Sequence, residues 1–390
     1  MNPLLRRLAL ACLSLLFAAC AQLPTPKPPP PPPKAEGQAA YRLGEWSALP
    51  GWREDDLSAA WGAFLQSCRG LKAQPAWQET CAAASQLKAP SNEEIRGFFE
   101  ARLLPYRIVN PDGSEDGLVT GYYEPLLNGS RSRSARFRYP LYAVPDDLLT
   151  IDLASVYPEL KNLRLRGRME GRKVVPYWNR GEIENGTSSV KGKELFWVDD
   201  AIDLFFLQIQ GSGRILLPDG SLARVGYADQ NGHPYRSVGK RLVDSGELPL
   251  EKASMQGIKD WAIKNPAKLK ELLDYNASYV FFRELPSQEG GPLGALGVPL
   301  TEARSIAVDP RYVTLGAPVY LAATWPNSDR PLQRLMLAQD TGGAIRGAVR
   351  ADFFWGFGPE AGKLAGAMRQ RGQMWLLLPK GAPLPAGNGN

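Results

Sequence analysis

Asp340 and Asp352 are the side chains in this chain whose surroundings best suit chemistry. Asp340 ends the apolar run Leu335-Met336-Leu337-Ala338-Gln339 and precedes Thr341-Gly342-Gly343. Asp352 lies among Val349, Ala351, Phe353, Phe354, Trp355 and Phe357. A carboxylate with such neighbours is poorly solvated, so its pKa is expected to rise. An acid still protonated near neutral pH can donate a proton to a leaving oxygen. A strand-end Asp is more often a cap, and Asp-X-Gly-Gly more often a turn. Catalysis therefore needs support from other residues.

Other chemistries find little support. The chain has 390 residues and one histidine, His233. That excludes a helical zinc site with paired histidines, and His233 lies in the loop-like Asn231-Gly232-His233-Pro234. Lys and Arg number 46 against 40 Asp and Glu, a formal charge of +6. They are spread along the chain without a run of five, so nothing marks a nucleic-acid footprint. A mild positive balance suits an anionic polymer or a membrane surface.

The elements that must position the two acids read as follows. Asp55 to Leu71 has helical periodicity, with Leu57, Trp61, Phe64 and Leu65 on one face. Ser91-Asn92-Glu93-Glu94 starts a second helix, with Ile95, Phe98, Phe99 and Leu103 as its buried stripe. Leu118 to Pro125 reads as a strand whose adjacent Tyr122 and Tyr123 face opposite sides. Pro140 to Pro145 and Val174 to Trp178 are short edge-strand candidates. Phe205 to Gln210 alternates, which predicts a strand with Gln208 and Gln210 on one face, followed by Gly211-Ser212-Gly213. Such a polar patch could hydrogen-bond the acetamido or hydroxyl groups of a sugar; a solvated strand face is the plainer alternative. Asp219-Gly220 predicts a hairpin turn. Tyr235 to Ser245 and Glu251 to Tyr275 read as helices, the latter broken at Pro266. A linker-like Gln288-Glu289-Gly290-Gly291-Pro292 precedes strands at Ser305 to Asp309, Val319 to Leu321, Leu335 to Gln339 and Met374 to Leu378, with a helix over Glu360 to Gln370. Small strands with Gly-rich turns suggest a compact barrel.

Residues 1–20 have the form of a secretion signal: Arg6 and Arg7, an apolar core from Leu8 to Phe17, then Ala18-Ala19-Cys20. The ending resembles a bacterial lipobox, which predicts lipidation of Cys20 and a lipid anchor; ordinary cleavage after the alanines is the alternative. Ala21, with no Asp after the cysteine, points to the outer membrane of a Gram-negative cell and its periplasmic face. Residues 21–40 are a proline-rich linker with six prolines from Pro28 to Pro33, a stiff spacer of about 3 Å per residue. Cys68 and Cys81 remain, and in an oxidising compartment they are expected to pair.

Three stretches now stand together: Gly121-Tyr122-Tyr123-Glu124-Pro125, Phe205-Phe206-Leu207-Gln208-Ile209-Gln210-Gly211-Ser212-Gly213 and Asn231-Gly232-His233-Pro234-Tyr235. They resemble the central domain of the membrane-bound lytic transglycosylase A (MltA) family. Asp309-Pro310, Gln339-Asp340-Thr341-Gly342-Gly343-Ala344-Ile345 and Ala351-Asp352 with Gly356-Phe357-Gly358 resemble its C-terminal 3D domain. The resemblance implies a mainly β fold: an expansin-like double-psi β-barrel, a second inserted β domain, a few helices and a groove between the two. Residues 41–138 would hold N-terminal helices and the first part of the barrel, 139–282 the insert, 283–380 the 3D domain that completes the barrel, and 381–390 a tail. The implied reaction is cleavage of the β-1,4 bond between N-acetylmuramic acid and N-acetylglucosamine of peptidoglycan, leaving 1,6-anhydromuramyl ends. One acid can serve twice because the sugar's own C6 hydroxyl is the nucleophile. The family's catalytic aspartate maps onto Asp352, with Asp340 shaping the groove and Asp309 structural. Tyr122, Gln208, Gln210 and Ser212 are candidate glycan contacts. Neither a metal nor another cofactor is required. The partners implied are glycan strands and a lipid anchor, and a complex with a murein synthase or endopeptidase would be compatible. Two alternatives remain at this level: a hydrolase using Asp340 with Asp352 and water, or a glycan-binding lipoprotein without catalysis.

Overall fold

The structure is a computed structural model that describes residues 39–160, 163, 165–286 and 290–385. The signal segment, Cys20, the proline run, Gln288, Glu289 and the end of the tail lie outside the described residues.

An N-terminal layer comes first. Strand β1 spans Ala40–Leu43. Helix α1 (Ser58–Leu71) buries Trp61, Phe64, Cys68 and Leu71, the spacing of one helix face. Helix α2 (Pro75–Gln86), which the periodicity does not reveal, opens on Pro75 and buries Trp77, Cys81 and Ala84. A disulfide between Cys68 and Cys81 ties α2 to α1. Helix α3 (Asn92–Arg102) begins at a capping box of Ser91 and Glu94 and buries Ile95, Phe98 and Phe99. This layer is locked to the rest by a buried ion pair: Arg304 donates to both Asp55 oxygens at 3.0 and 2.9 Å. Asp55 also accepts the Leu335 N–H at 2.7 Å. Removing one partner of such a buried pair costs about 3–5 kcal/mol. Strand β2 (Leu103–Val109) pairs with β1, and β3 (Gly117–Glu124) follows.

The second domain begins directly after β3. Strand β4 (Leu126–Ser130) pairs with the later strand at Ser212–Leu216, so the second sheet takes in residues ahead of 139. Next come β5 (Tyr139–Tyr142), β6 (Leu149–Thr150), β7 (Arg166–Glu170), β8 (Lys173–Pro176), the short helix α4 (Arg180–Glu184) and β9 (Glu194–Val198). Helix α5 (Ala201–Gln210) then occupies the stretch expected to be a strand. Asp200 caps it by accepting the Ile202 and Asp203 N–H groups, and Gly211 closes it at φ 79°. Leu204, Phe205, Leu207 and Gln208 are its buried face, a helical spacing that the Gln208/Gln210 alternation masked. Strands β10 (Ser212–Leu216) and β11 (Leu222–Gln230) form the hairpin expected at Asp219-Gly220. Helices α6 (Val238–Asp244), α7 (Met255–Lys264) and α8 (Leu269–Asp274) lead to β12 (Val280–Leu285). One sheet runs β12-β11-β10-β4-β9-β5, and β6-β7-β8 form a smaller one.

The chain returns to the first domain with β13 (Ser305–Val308), β14 (Pro318–Thr324), β15 (Pro331–Asp340), β16 (Arg350–Phe357), helix α9 (Gly358–Ala367) and β17 (Arg369–Pro379). The pairings run in a ring: β17 with β14, β14 with β15, β15 with β13, β13 with β16, β16 with β3, and β3 again with β17. Two of them, β13–β15 and β16–β3, are parallel. The domain is the double-psi β-barrel of the expected fold class. Alternation along each strand divides the residues between two faces. Val119, Ile306, Val308, Ala338, Ala351 and Phe353 pack into the barrel core. Thr120, Tyr122, Ala307, Asp352 and Phe354 take the opposite parity and face away from it.

Candidate active site

The strand register brings the two aspartates together. Ala307 on β13 is the partner of Asp340 on β15 and of Asp352 on β16. Asp352 is in turn the partner of Thr120 on β3. One row therefore crosses four strands as Asp340, Ala307, Asp352 and Thr120, on the outer face of the barrel. Two strand spacings separate the carboxylates' backbones, roughly 10 Å. Small Ala307 between them leaves room for the Tyr122 ring, which clusters with Ala307, Leu300, Ile345 and Phe354.

The two acids are held differently. Asp340 Oδ1 accepts the N–H groups of Ala295 and Thr341, each at 2.9 Å. Its Oδ2 accepts the Tyr122 hydroxyl at 3.0 Å. Burial nevertheless pushes its pKa up to about 6, against those three donors and helped by the charge of Asp352. Asp352 accepts one hydrogen bond on Oδ1, from the Thr120 hydroxyl at 2.5 Å. Burial raises its pKa as well, opposed by the Thr120 bond and the Arg350 charge. Arg350 Nη2 donates to Thr120 Oγ1 at 2.9 Å. Because that oxygen accepts from a guanidinium, its single proton goes to Asp352. Burial, with Asp340 and Asp352 nearby, also raises the Tyr122 phenol, which stays a neutral donor.

The raised Asp352 pKa agrees with the sequence expectation, but the cause differs in part. Ala351 and Phe353 sit in the barrel core on the other side of the sheet. Phe354 shares the face of Asp352, and Tyr122 is brought over that face by the fold.

In front of this face lies a cleft of about 660 Å³ between the two domains. The barrel contributes Asp340, Thr341, Gly342, Gly343 and Ala344, and Leu293 to Ala295 precede them. The second domain contributes Gln208, Gln210, Ser212, Tyr227, Asp229 and Gln230. Asp340 lines the cleft itself; Asp352 stands further along the same face and is partly exposed. Gln208 and Gln210 both reach the cleft, from a helix end instead of a strand face. Gln208 is buried at 5% exposure, and its Oε1 has no hydrogen-bond partner among the described residues. Gln210 Oε1 accepts the Tyr123 N–H at 3.1 Å. Ser212 lines the cleft at the start of β10. Tyr122 is buried against Phe354 and spends its hydroxyl on Asp340.

Asp309 stays apart, fully buried, bonded to Arg311 and accepting the Gly347 N–H at 2.9 Å. Burial would raise it, but Arg311 and the Gly347 and Arg311 N–H groups outweigh that and hold it below the ordinary carboxylate value. His233 contacts the Tyr177 carbonyl at 2.7 Å, outside the cleft. Thr120, Arg350 and the Arg166–Asp229 ion pair at 2.9 Å carry no signal in composition. Thr120 and Arg350 do stand two residues before Tyr122 and Asp352, the offset that shares a strand face. Among the described residues no group of His, Cys, Asp and Glu could hold a metal ion.

Two family models match the chain: the MltA specific insert domain over residues 118–283 and the 3D domain over residues 304–378. The membrane-bound lytic murein transglycosylase A of Escherichia coli K12 is 37% identical over 302 residues, covering 76% of this chain and 74% of that protein. The crystal structure of MltA from Neisseria gonorrhoeae in its monoclinic form matches with a TM-score of 0.78 at 40% identity, covering 90% of this chain and 96% of that one. The structure of E. coli MltA with bound chitohexaose matches with a TM-score of 0.65 at 28% identity, over 89% and 96% of the two chains. On the order of its motifs, its two domains and these likenesses, the chain belongs to the membrane-bound lytic murein transglycosylase A family.

Proposed function

We propose that the chain cleaves the β-1,4 bond between N-acetylmuramic acid and N-acetylglucosamine in peptidoglycan, with Asp352 as its one acid and base. Membership of the family makes it a peptidoglycan-cleaving enzyme of the lyase type. The chitohexaose held by the E. coli relative supports a glycan as the ligand, and the interdomain cleft is where we place it.

The difference between the two aspartates carries the assignment. Three donors occupy Asp340, which suits a residue that shapes the groove. Asp352 gives one oxygen to Thr120 and keeps Oδ2 for substrate. Its raised pKa keeps it protonated at higher pH than an ordinary carboxyl. In the first half of the reaction Oδ2–H gives its proton to the glycosidic oxygen as the bond from C1 to that oxygen breaks. In the second half the carboxylate takes the proton of the muramyl C6 hydroxyl as O6 closes on C1. The acid is restored and a 1,6-anhydro end is left. Tyr122 holds Asp340, while Gln208, Gln210 and Ser212 face the sugars from the other wall.

Relatives named membrane-bound support a chain held at a membrane. We place the anchor at a lipidated Cys20 on the periplasmic face of the outer membrane. Digestion of purified sacculi with mass spectrometry of the products tests the chemistry. Anhydro ends are expected; reducing ends in their place would mean that water, not the sugar, is the nucleophile.

A further inference from the structure

The segment Arg131-Ser132-Arg133-Ser134-Ala135-Arg136-Phe137-Arg138 joins β4 to β5 and takes no part in lining the cleft. All four arginines are exposed, yet each guanidinium lies over an aromatic ring. Arg131 sits 4.8 Å from the Phe196 ring, Arg133 5.5 Å from Trp197, Arg136 5.0 Å from Phe137 and Arg138 5.4 Å from Tyr139. The segment is itself fixed by a turn in which the Ser134 N–H donates to the Phe137 carbonyl and the Phe137 N–H to Ser134 Oγ, both at 3.0 Å.

The charges are only half compensated. Arg131 pairs with Glu284 at 2.6 Å and Arg136 with Asp199 at 3.0 Å. Arg133 and Arg138 have no ion pair among the described residues, and the chain has no acidic residue between Glu124 and Asp146. A solvated lysine or arginine surface needs none of this order. A guanidinium already held against a ring loses less freedom on binding an anion and presents a planar fork to a carboxylate. Neutral sugar rings offer such a fork no counter-charge. The peptide stems of peptidoglycan carry carboxylates.

We propose that this aromatic-backed arginine face is an accessory, non-catalytic site for the carboxylates of peptidoglycan stem peptides. It holds the insoluble polymer while the cleft engages a strand. The proposal rests on the substrate reading above, but its test reads binding, so the two can fail separately. Purified sacculi are sedimented with the full chain carrying Asp352→Asn, so that cutting does not remove the pellet. Adding Arg133→Ser with Arg138→Ser is expected to weaken pelleting about tenfold, most strongly at low salt. Arg133→Lys with Arg138→Lys keeps the charge but not the fork and should fall between. Sacculi stripped of stems should bind the parent chain as weakly as the serine pair binds intact ones. In an otherwise unaltered chain, turnover of short soluble glycan fragments should not change with the serine pair. An unchanged melting temperature shows that the variants fold. Equal pelleting of parent and serine pair overturns the proposal, as does a loss confined to anionic phospholipid vesicles, which would make the face a lipid contact. If the unaltered chain releases no fragments from sacculi, the catalytic reading fails while the binding result stands.

Discussion

The two walls of the cleft are built on different principles. The barrel wall is a closed ring of strands over one large continuous core, and both acids sit in one row across it, either side of Ala307. The second domain divides its apolar residues among three smaller clusters, and its cleft residues come from a helix end, a hairpin and separate loops. A proton-transferring group must be held within a fraction of an ångström, which a paired strand over a single core provides. Groups that only grip a polymer tolerate looser support.

Four substitutions bear on that contrast, the barrel side being expected to matter most. Asp352→Asn should lower turnover by about 10²–10⁴-fold while glycan binding persists. Clearing of sacculi at the native rate would move the chemistry elsewhere. Asp340→Asn should cost about tenfold in turnover, through looser positioning. It carries a second readout. Burial lifts Asp340 to about 6, against an unfolded value near 3.9. Between those values the folded chain keeps a proton that the unfolded chain has lost, so this group's contribution falls as pH rises through the window. The asparagine variant lacks the slope, and its melting temperature should gain on the parent from about pH 4 to 6 and stay level above. A constant difference across that range would place the charge elsewhere.

Arg350→Met should reduce turnover by less than tenfold and, more tellingly, move the pH profile. The Arg350 charge opposes the rise in the Asp352 pKa. Removing it raises that pKa further, so the loss of activity caused by deprotonating the acid shifts to higher pH. A profile shifted to lower pH, or unmoved, would remove Arg350 from the role. On the opposite wall, Gln208→Leu should raise KM about fivefold and leave kcat nearly unchanged, since one neutral hydrogen bond contributes about 1 kcal/mol. A large fall in kcat there would erase the distinction between the walls.

Much of the barrel is readable in the chain because its strands carry apolar runs, such as Ser305–Val308 and the Leu335 to Gln339 and Met374 to Leu378 stretches of β15 and β17. The capping box at Ser91 and the hairpin at Asp219-Gly220 are local devices and appear where expected. The residues of helix α5 fit a strand as well as a helix because four residues of alternation, Leu207 to Gln210, suit either period. Only the Asp200 cap and the left-handed Gly211 decide for a helix. Thr120 and Arg350 could not be assigned because the hydrogen bonds that matter join residues 232 and 230 positions apart.

By itself the sequence determined which acids were candidates, most of the elements other than α2 and α5, and many of the apolar faces that build the two domains. These depend on neighbours within a turn or a strand, where a residue's type fixes its local preference. It also yielded the family through motifs that must recur in order. The tertiary structure alone decided that Asp340 and Asp352 share a row across Ala307, that three donors hold one and a single hydroxyl the other, and that Val349, Ala351, Phe353 and Trp355 pack behind Asp352 while Phe354 shares its face. Strand pairing brings distant segments together, and desolvation follows what surrounds a side chain in space, not what precedes it in the chain.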